Sequence, residues 1–141
     1  MEKALERTSD MSRMIVSMLQ QRMNAVAQRQ RDRLEVKESE HWIGWRSARR
    51  DRVFAEMRPS RRKVEVSILP SRRQLEDPRK LARNAPLTQG WGWFRTRFEI
   101  VSLAQVGPAF HLIRQSYEHG LRRGNGRAAP RRSRGRGQTS L

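Results

Sequence analysis

Apolar side chains recur every three or four residues in the N-terminal quarter of the chain. They form one stripe, made of Met11, Met14, Ile15, Met18, Leu19, Met23 and Val26. This period is typical of an α-helix with one apolar face, so we predict a helix over residues 10–34 whose end, beyond Val26, is polar. The stripe either packs against the rest of the protein or forms a surface for a partner.

Four later runs alternate apolar and polar residues, which is the period of a β-strand with one buried face. The runs are His41–Arg46, Arg52–Arg58, Lys63–Leu69 and Trp93–Ile100. Connections of only a few residues join the first three runs, and they predict an antiparallel meander. The connection to the fourth run is long, and we expect a short turn of helix within it, at residues 78–83.

The loop Pro59–Arg62 suggests a register for the second and third strands. It sets Arg58 opposite Lys63 and Glu56 opposite Glu65, two like-charge pairs that diagonal contacts would relieve. With this register, the alternating apolar residues of the strands fall on one face of the sheet, which we expect to be the core side.

A second apolar stripe predicts a C-terminal helix from Pro108 to His119, with Gly120 at its end. The predicted fold class is α+β. It has a four-stranded antiparallel sheet, the C-terminal helix packed on one face, and the N-terminal amphipathic helix on the other face or extending away. We divide the chain into the N-terminal helix (1–35), a small α+β domain (36–120) and a disordered Arg-rich tail (121–141).

Charge narrows the class of partner. The chain has 31 Lys and Arg against 14 Asp and Glu, a formal net charge of +17 on 141 residues. Such a surplus repels itself in the compact state unless an anionic partner relieves it. Nucleic acid is the partner that fits best, because neutralising its phosphates releases counterions. A GC-rich genome would explain the preference for Arg over Lys, but it does not explain the excess of cations over acids.

We expect two groups of cations to contact phosphates. The first lies on the sheet, on the face opposite the core, and consists of Arg46, Arg58, Arg61, Arg62, Lys63, Arg95 and Arg97. The second belongs to the tail and consists of Arg122, Arg123, Arg127, Arg131, Arg132, Arg134 and Arg136. Phosphate contacts carry no base-sequence information, so the predicted binding is sequence-tolerant.

Four aromatic residues are candidates for stacking on nucleic-acid bases. Trp42 and Phe54 fall on the basic face of the predicted sheet, and Trp91 and Trp93 flank Gly92 in a tight turn. Aromatic residues placed among Arg side chains on a sheet are typical of modules that bind RNA or single strands. The alternatives are structural: the N-terminal helix covers Trp42 and Phe54, and the two Trp around Gly92 close one edge of the core.

Other kinds of chemistry find little support. The chain has no Cys, which excludes disulfides and thiolate metal sites, and its three His are too few and too dispersed for zinc. We predict no metal, no cofactor and no catalytic residues. Glu56 and Glu65 form the one carboxylate pair that could serve an enzyme, and on so basic a face we interpret them instead as partners that compensate charge. We recognise neither a signal peptide nor an apolar run long enough to cross a membrane, and we expect a cytoplasmic protein.

Five stretches occur in an order and spacing that resemble a known family. They are the sequences FAEMRP (54–59), RRKVEV (61–66), LEDPRKLAR (75–83), GWGW (90–93) and LIRQSYE (112–118). The segment 41–118 is similar through them to uncharacterised bacterial domains catalogued as domain of unknown function 5655. The resemblance implies a small α+β domain, found in some proteins beside restriction-type nucleases and labelled in others a predicted transport protein. It implies no catalytic residues, and it does not include the Arg-rich tail.

These observations favour a non-catalytic protein that binds DNA or RNA through phosphate contacts. The first alternative is an interaction module that docks on an acidic protein partner, such as a nuclease subunit, through the helix Met11–Val26. The second alternative is a small enzyme that uses Glu56 and Glu65.

Overall fold

One long helix dominates the N-terminal part of the protein. The computed structural model describes residues 2–5, 8–86 and 93–119. A short helix α1 (Glu2–Leu5) precedes α2 (Asp10–Arg29), which begins where the Ser9 hydroxyl accepts a hydrogen bond from the Ser12 N–H, 3.1 Å away. The predicted helix continued to residue 34, but it ends at Arg29 because Arg31 adopts a positive φ of 56° and the chain turns there.

Six strands form one antiparallel sheet, so the prediction of four strands is wrong. They are β1 (Leu34–Glu38), β2 (Ile43–Ser47), β3 (Arg52–Pro59), β4 (Val64–Ile68), β5 (Arg83–Asn84) and β6 (Thr96–Ile100). Their order across the sheet is β1-β2-β3-β4-β6-β5. The predicted meander corresponds to β2, β3 and β4. Strand β1 follows the turn after α2, in a stretch where no strand was predicted. Strand β5 and a 3₁₀ turn at Arg72–Gln74 replace the helical turn expected at residues 78–83.

The register of the β3–β4 hairpin differs from the prediction by two residues. Pro59 pairs with Val64 inside the ladder, and the turn is closed by a 2.8 Å hydrogen bond from the Ser60 N–H to the Lys63 carbonyl. Proline fits in the strand because Pro59 occupies the non-hydrogen-bonded position next to that closing pair, where no N–H is required. A shift of two leaves every side chain on its predicted face but changes its neighbours, so Arg58 lies opposite Glu65.

A β-bulge in β3 changes the position of Phe54. The pairing of β2 with β3 passes from Trp45–Ala55 to Arg46–Val53, so Phe54 is the extra residue. The bulge turns its ring towards the core, where it is fully buried and its centroid lies 5.1 Å from that of Tyr117, edge to face. The prediction that Phe54 lies on the basic face is therefore wrong.

Both long helices pack on one face of the sheet. Helix α3 (Val106–Glu118), with Pro108 in its first turn, contacts α2, β3 and β4, and α2 contacts β1, β3 and β4. One hydrophobic core joins α2, α3 and the inward side chains of the strands, among them Ile43, Trp45, Met57, Val66 and Phe98. The arrangement with helices on opposite faces is therefore wrong, and the α+β class with a C-terminal helix is confirmed.

The apolar stripe of α2 is covered by the protein itself. Ile15, Leu19, Met23 and Val26 are fully buried in the core, and only the N-terminal end of the stripe, at Met11 and Met14, is exposed. The helix therefore packs on the sheet. The sequence alone did not decide between this arrangement and a stripe that binds a partner. In the described part of the chain no helix has the length and hydropathy to cross a membrane.

Candidate nucleic-acid interface

The face of the sheet turned away from α2 and α3 is the open face. Because side chains alternate along a strand, it carries the residues between the core positions. They are Glu35, Lys37, Trp42, Gly44, Arg46, Glu56, Arg58, Glu65, Ser67, Arg83, Arg97 and Glu99. This is the surface that the sequence predicted to be the basic patch.

Most predicted cations of the open face have an acidic partner. The Arg58 Nε lies 3.0 Å from Glu56 Oε1, and the Lys63 Nζ lies 2.8 Å from Glu99 Oε2. Lys63 and Arg97 also approach Glu65, at 3.7 and 3.8 Å. Arg46 is paired with both Glu35 and Asp51.

The shifts in pKa agree with this pairing. The hydrogen bond from Lys63 lowers the pKa of Glu99, and the same bond raises the pKa of Lys63. Hydrogen bonds from Arg33 and Arg46 likewise lower the pKa of Glu35. Four of the seven predicted cations, Arg46, Arg58, Lys63 and Arg97, are therefore compensated by the protein's own acids.

Arg61 and Arg62 are exposed in the β3–β4 turn. The turn is tied to the start of α2, because the Ser12 hydroxyl donates a 2.6 Å hydrogen bond to the Ser60 carbonyl. Arg95 is also exposed, but it lies just before β6, at the opposite end of the sheet. The structure therefore does not bring the seven cations together into one patch.

Glu56 and Glu65 do not face each other. Glu56 lies opposite Gly44 and Ser67, and it is buried with its charge paired to Arg58. Glu65 lies opposite Arg58 and Glu99. Among the described residues, no group of three or more Asp, Glu or His side chains is arranged to hold a metal ion.

Trp42 lies half-buried on the open face, against Gly44. An atom added as a Cβ on Gly44 would lie 3.4 Å from the six-membered ring of Trp42, so the indole covers the bare backbone at that position. Trp42 was predicted to lie on this face, and the helices do not cover it. Trp91 and the tail cations Arg122–Arg136 lie outside the described residues.

The connection between β4 and β6, residues 70–86 with β5 inside it, carries cations that the prediction did not include in the patch. They are Arg72, Arg73, Arg79, Lys80 and Arg83, all exposed, and within the described residues none has an acid at ion-pair distance. Arg83 differs from the other four, because it lies in β5 opposite Arg97 and its charge helps to lower the pKa of Glu99. The two acids of this segment, Asp77 and Glu76, make other contacts. Asp77 accepts hydrogen bonds from the N–H groups of Leu81 and Ala82, and Glu76 lies 3.7 Å from His111. The Pro-Arg and Arg-Arg pairs of this segment are the sequence signal that points to it.

A pocket of about 530 Å³ opens at the end of the sheet where β3 begins and β4 ends. It is lined by Arg52, Val53, Leu69, Trp93, Arg95 and His119. The Trp93 side chain is 51% exposed, and its ring centroid lies 6.0 Å from that of Phe94. Of these residues, sequence reasoning found Trp93 and Arg95 and missed Arg52 and His119, because residues far apart along the chain assemble the pocket.

Arg52 contributes a mostly buried positive charge to this pocket. Its guanidinium donates to the carbonyl oxygens of Tyr117 and His119 at the end of α3, and no described acid lies within ion-pair distance. Burial and the nearby charge of Arg50 lower the pKa of Arg52. The Arg50 guanidinium stacks 4.0 Å above the Tyr117 ring. Arg50 also lies 3.6 Å from the Asp32 carboxylate, so of these two cations only Arg52 is compensated mainly by carbonyl dipoles.

Asp32 holds this end of the protein together. Its carboxylate is shielded from solvent and accepts hydrogen bonds from the N–H groups of Arg33 and Arg49, at 2.7 and 2.8 Å. The hydroxyls of Ser47 and Tyr117 donate to its other oxygen, at 2.5 and 2.8 Å. Burial alone would raise the pKa of Asp32, but these four hydrogen bonds outweigh burial and lower it to about 2.

Comparisons with protein-family models, with curated proteins and with solved structures found no match for this chain.

Proposed function

We propose that this protein binds nucleic acid without catalysing a reaction, through phosphate contacts made by the connection 70–86 and the adjoining Arg95. The observation that carries the proposal is the separation of its cations into two sets. On the open face most cations pair with acids, whereas Arg72, Arg73, Arg79 and Lys80 of the connection are exposed and have no described acid at ion-pair distance. Cations already neutralised by acids gain little from phosphate, and unpaired ones gain most.

The connection is held as a fixed support for these cations. The Gln115 side chain of α3 accepts from the Glu76 N–H and donates to the Glu76 carbonyl, both at 2.8 Å. Leu75 and Leu81 pack against the core, and Asp77 anchors the turn at Lys80. Because backbone contacts rather than ion pairs hold the segment, its guanidinium groups are available to a ligand. The tail cations would add further phosphate contacts, as proposed from the sequence.

The experiment is a fluorescence-anisotropy titration of the full chain with labelled oligonucleotides over a series of salt concentrations. Arg73→Gln with Arg79→Gln removes two unpaired cations, and the matched control, Arg58→Gln with Lys63→Gln, removes two acid-paired ones. We expect the first variant to flatten the slope of log affinity against log salt by about 1.4 on single strands, at roughly 0.7 per phosphate. The control should leave the slope unchanged.

Two results would reject the proposal: affinity that does not depend on salt, or equal losses in the two double variants. Deleting residues 121–141 in parallel measures what the tail contributes. We also propose that the protein is cytoplasmic, where nucleic acid is present. The relation of residues 41–118 to domain of unknown function 5655 is likewise a proposal.

A further inference from the structure

The pocket at the start of β3 combines three kinds of surface that a nucleotide requires. Val53 and Leu69 supply apolar contact, and Trp93 presents an indole that is 51% exposed. Arg52 and Arg95 supply positive charge. Its volume of about 530 Å³ lies within the range of roughly 300–1,000 Å³ typical of small-ligand sites.

Electrostatics favours an anion at this place. Arg52 is mostly buried and its hydrogen bonds go to backbone carbonyls, whereas Arg50 beside it is already paired with Asp32. A buried cation without an acid is costly, and an anion in the pocket would offset that cost. A guanidinium also suits phosphate, because its N–H groups match two phosphate oxygens at once.

We propose that this pocket binds one unpaired nucleotide, with the base stacked on Trp93 and the phosphate between Arg52 and Arg95. This inference rests on the proposed function and names the form of its ligand. A base that is paired and stacked within a duplex cannot enter a pocket of this kind without leaving the helix. The protein should therefore prefer single strands, or strand ends, to blunt duplex of the same sequence.

Hydrogen bonds within the protein hold two sides of the pocket. The Asp32 carboxylate accepts from the Tyr117 hydroxyl, the Tyr117 carbonyl accepts from Arg52, and the Arg50 side chain lies over the Tyr117 ring. On the other side the Ser116 hydroxyl donates to the Phe54 carbonyl and accepts from the Leu69 N–H at 3.0 Å. Arg52 and Leu69 are therefore placed by contacts that do not involve a ligand.

The test compares binding of the full chain to a labelled oligothymidylate strand and to a labelled blunt duplex at one salt concentration. Trp93→Ala should weaken single-strand binding by roughly tenfold, since stacking of one base on an aromatic ring contributes on that scale, and should leave duplex binding unchanged. Trp93→Tyr keeps an aromatic face and should retain most of the affinity. Trp42→Ala is the matched control, because Trp42 lies on the open face, outside the pocket.

Circular dichroism and thermal unfolding of each variant show that the fold is intact. The inference is overturned if the wild type binds strand and duplex equally, or if Trp93→Ala weakens both to the same degree or neither. In those cases salt-dependent binding that responds to Arg73→Gln with Arg79→Gln would still support the proposed function. If the wild type binds neither probe, the proposed function fails as well.

Discussion

The carboxylate of Asp32 provides a sharp test of the structural reasoning. Replacing Asp32 by Asn keeps the shape of the side chain but removes its charge and one acceptor oxygen. The hydroxyls of Ser47 and Tyr117 would then face an amide, and Arg50 would lose the carboxylate 3.6 Å from its guanidinium. We therefore expect the variant to fold with a lower free energy of unfolding.

The magnitude follows from the pKa. Because folding lowers the pKa of Asp32 from 3.8 to about 2, the ionised form favours the native state by at most about 2.4 kcal/mol, at ~1.36 kcal/mol per pH unit. The surrounding turn lies at the surface, where water weakens charge interactions, so we expect about 1–2 kcal/mol at pH 7. A carboxyl group whose pKa is lowered by folding stabilises the native state when the pH is above the pKa of the unfolded state. For Asp32 this contribution is therefore present above about pH 4. It is lost as the pH falls towards about 2.

The assay is urea unfolding of wild type and Asp32→Asn between pH 7 and pH 2, followed by circular dichroism. The difference between the two proteins should be largest at neutral pH and should shrink through the acid range, because protonation removes the same charge from the wild type. Glu40→Gln, at a carboxylate whose side chain is 82% exposed, is the control and should change little. Equal stabilities at pH 7, or a difference that does not vary with pH, would refute the reasoning.

Two further substitutions test how the elements are joined. Ser116→Ala should lower the free energy of unfolding by about 1–3 kcal/mol in urea, because it leaves the Phe54 carbonyl and the Leu69 N–H without their partner in a buried place. Lys63→Met should lower the melting temperature slightly at low salt and hardly at all near ~1 M salt, where its exposed ion pair with Glu99 is screened.

Matched controls separate these effects from general damage. Ser17→Ala removes an exposed hydroxyl from α2 and should leave the unfolding midpoint unchanged. Lys37→Met removes an exposed cation of β1 and should show no comparable dependence on salt. A Ser116→Ala protein as stable as Ser17→Ala would contradict the role given to the buried hydroxyl, and a salt-independent loss in Lys63→Met would contradict the surface ion pair.

Local patterns in the sequence predict the class of the fold, the stripe of α2 and the face on which most strand residues lie. They miss β1 because it is an edge strand with exposed charges, and Lys37 and Glu38 hide the alternation there. The two-residue error in register arises at Pro59, which was assigned to the loop although the ladder accommodates it where no N–H is needed. Alternation also cannot reveal a bulge, so Phe54 was assigned to the wrong face.

The candidate site was harder to predict than the fold. The surplus of positive charge led to the prediction of a basic patch on the open face, but the cations there are paired with acids. The sequence does not reveal this pairing, because it depends on cross-strand neighbours and hence on the register of the strands. Arg52 and His119 meet in the pocket although 66 residues separate them along the chain. No local pattern carries such a contact, so the pocket is visible only in the folded protein.

The placement of acids also explains how a chain with a net charge of +17 can fold, and it makes a last prediction. Acids lie on the sheet, where strands bring cations close together, and backbone hydrogen bonds hold the connection 70–86. The unpaired cations of the connection therefore contribute little to stability. Arg73→Gln with Arg79→Gln should unfold at the wild-type urea concentration, or slightly above it because repulsion falls, even where binding is lost. A marked loss of stability in this variant would mean that these cations hold the fold together, and that their exposure says nothing about a ligand.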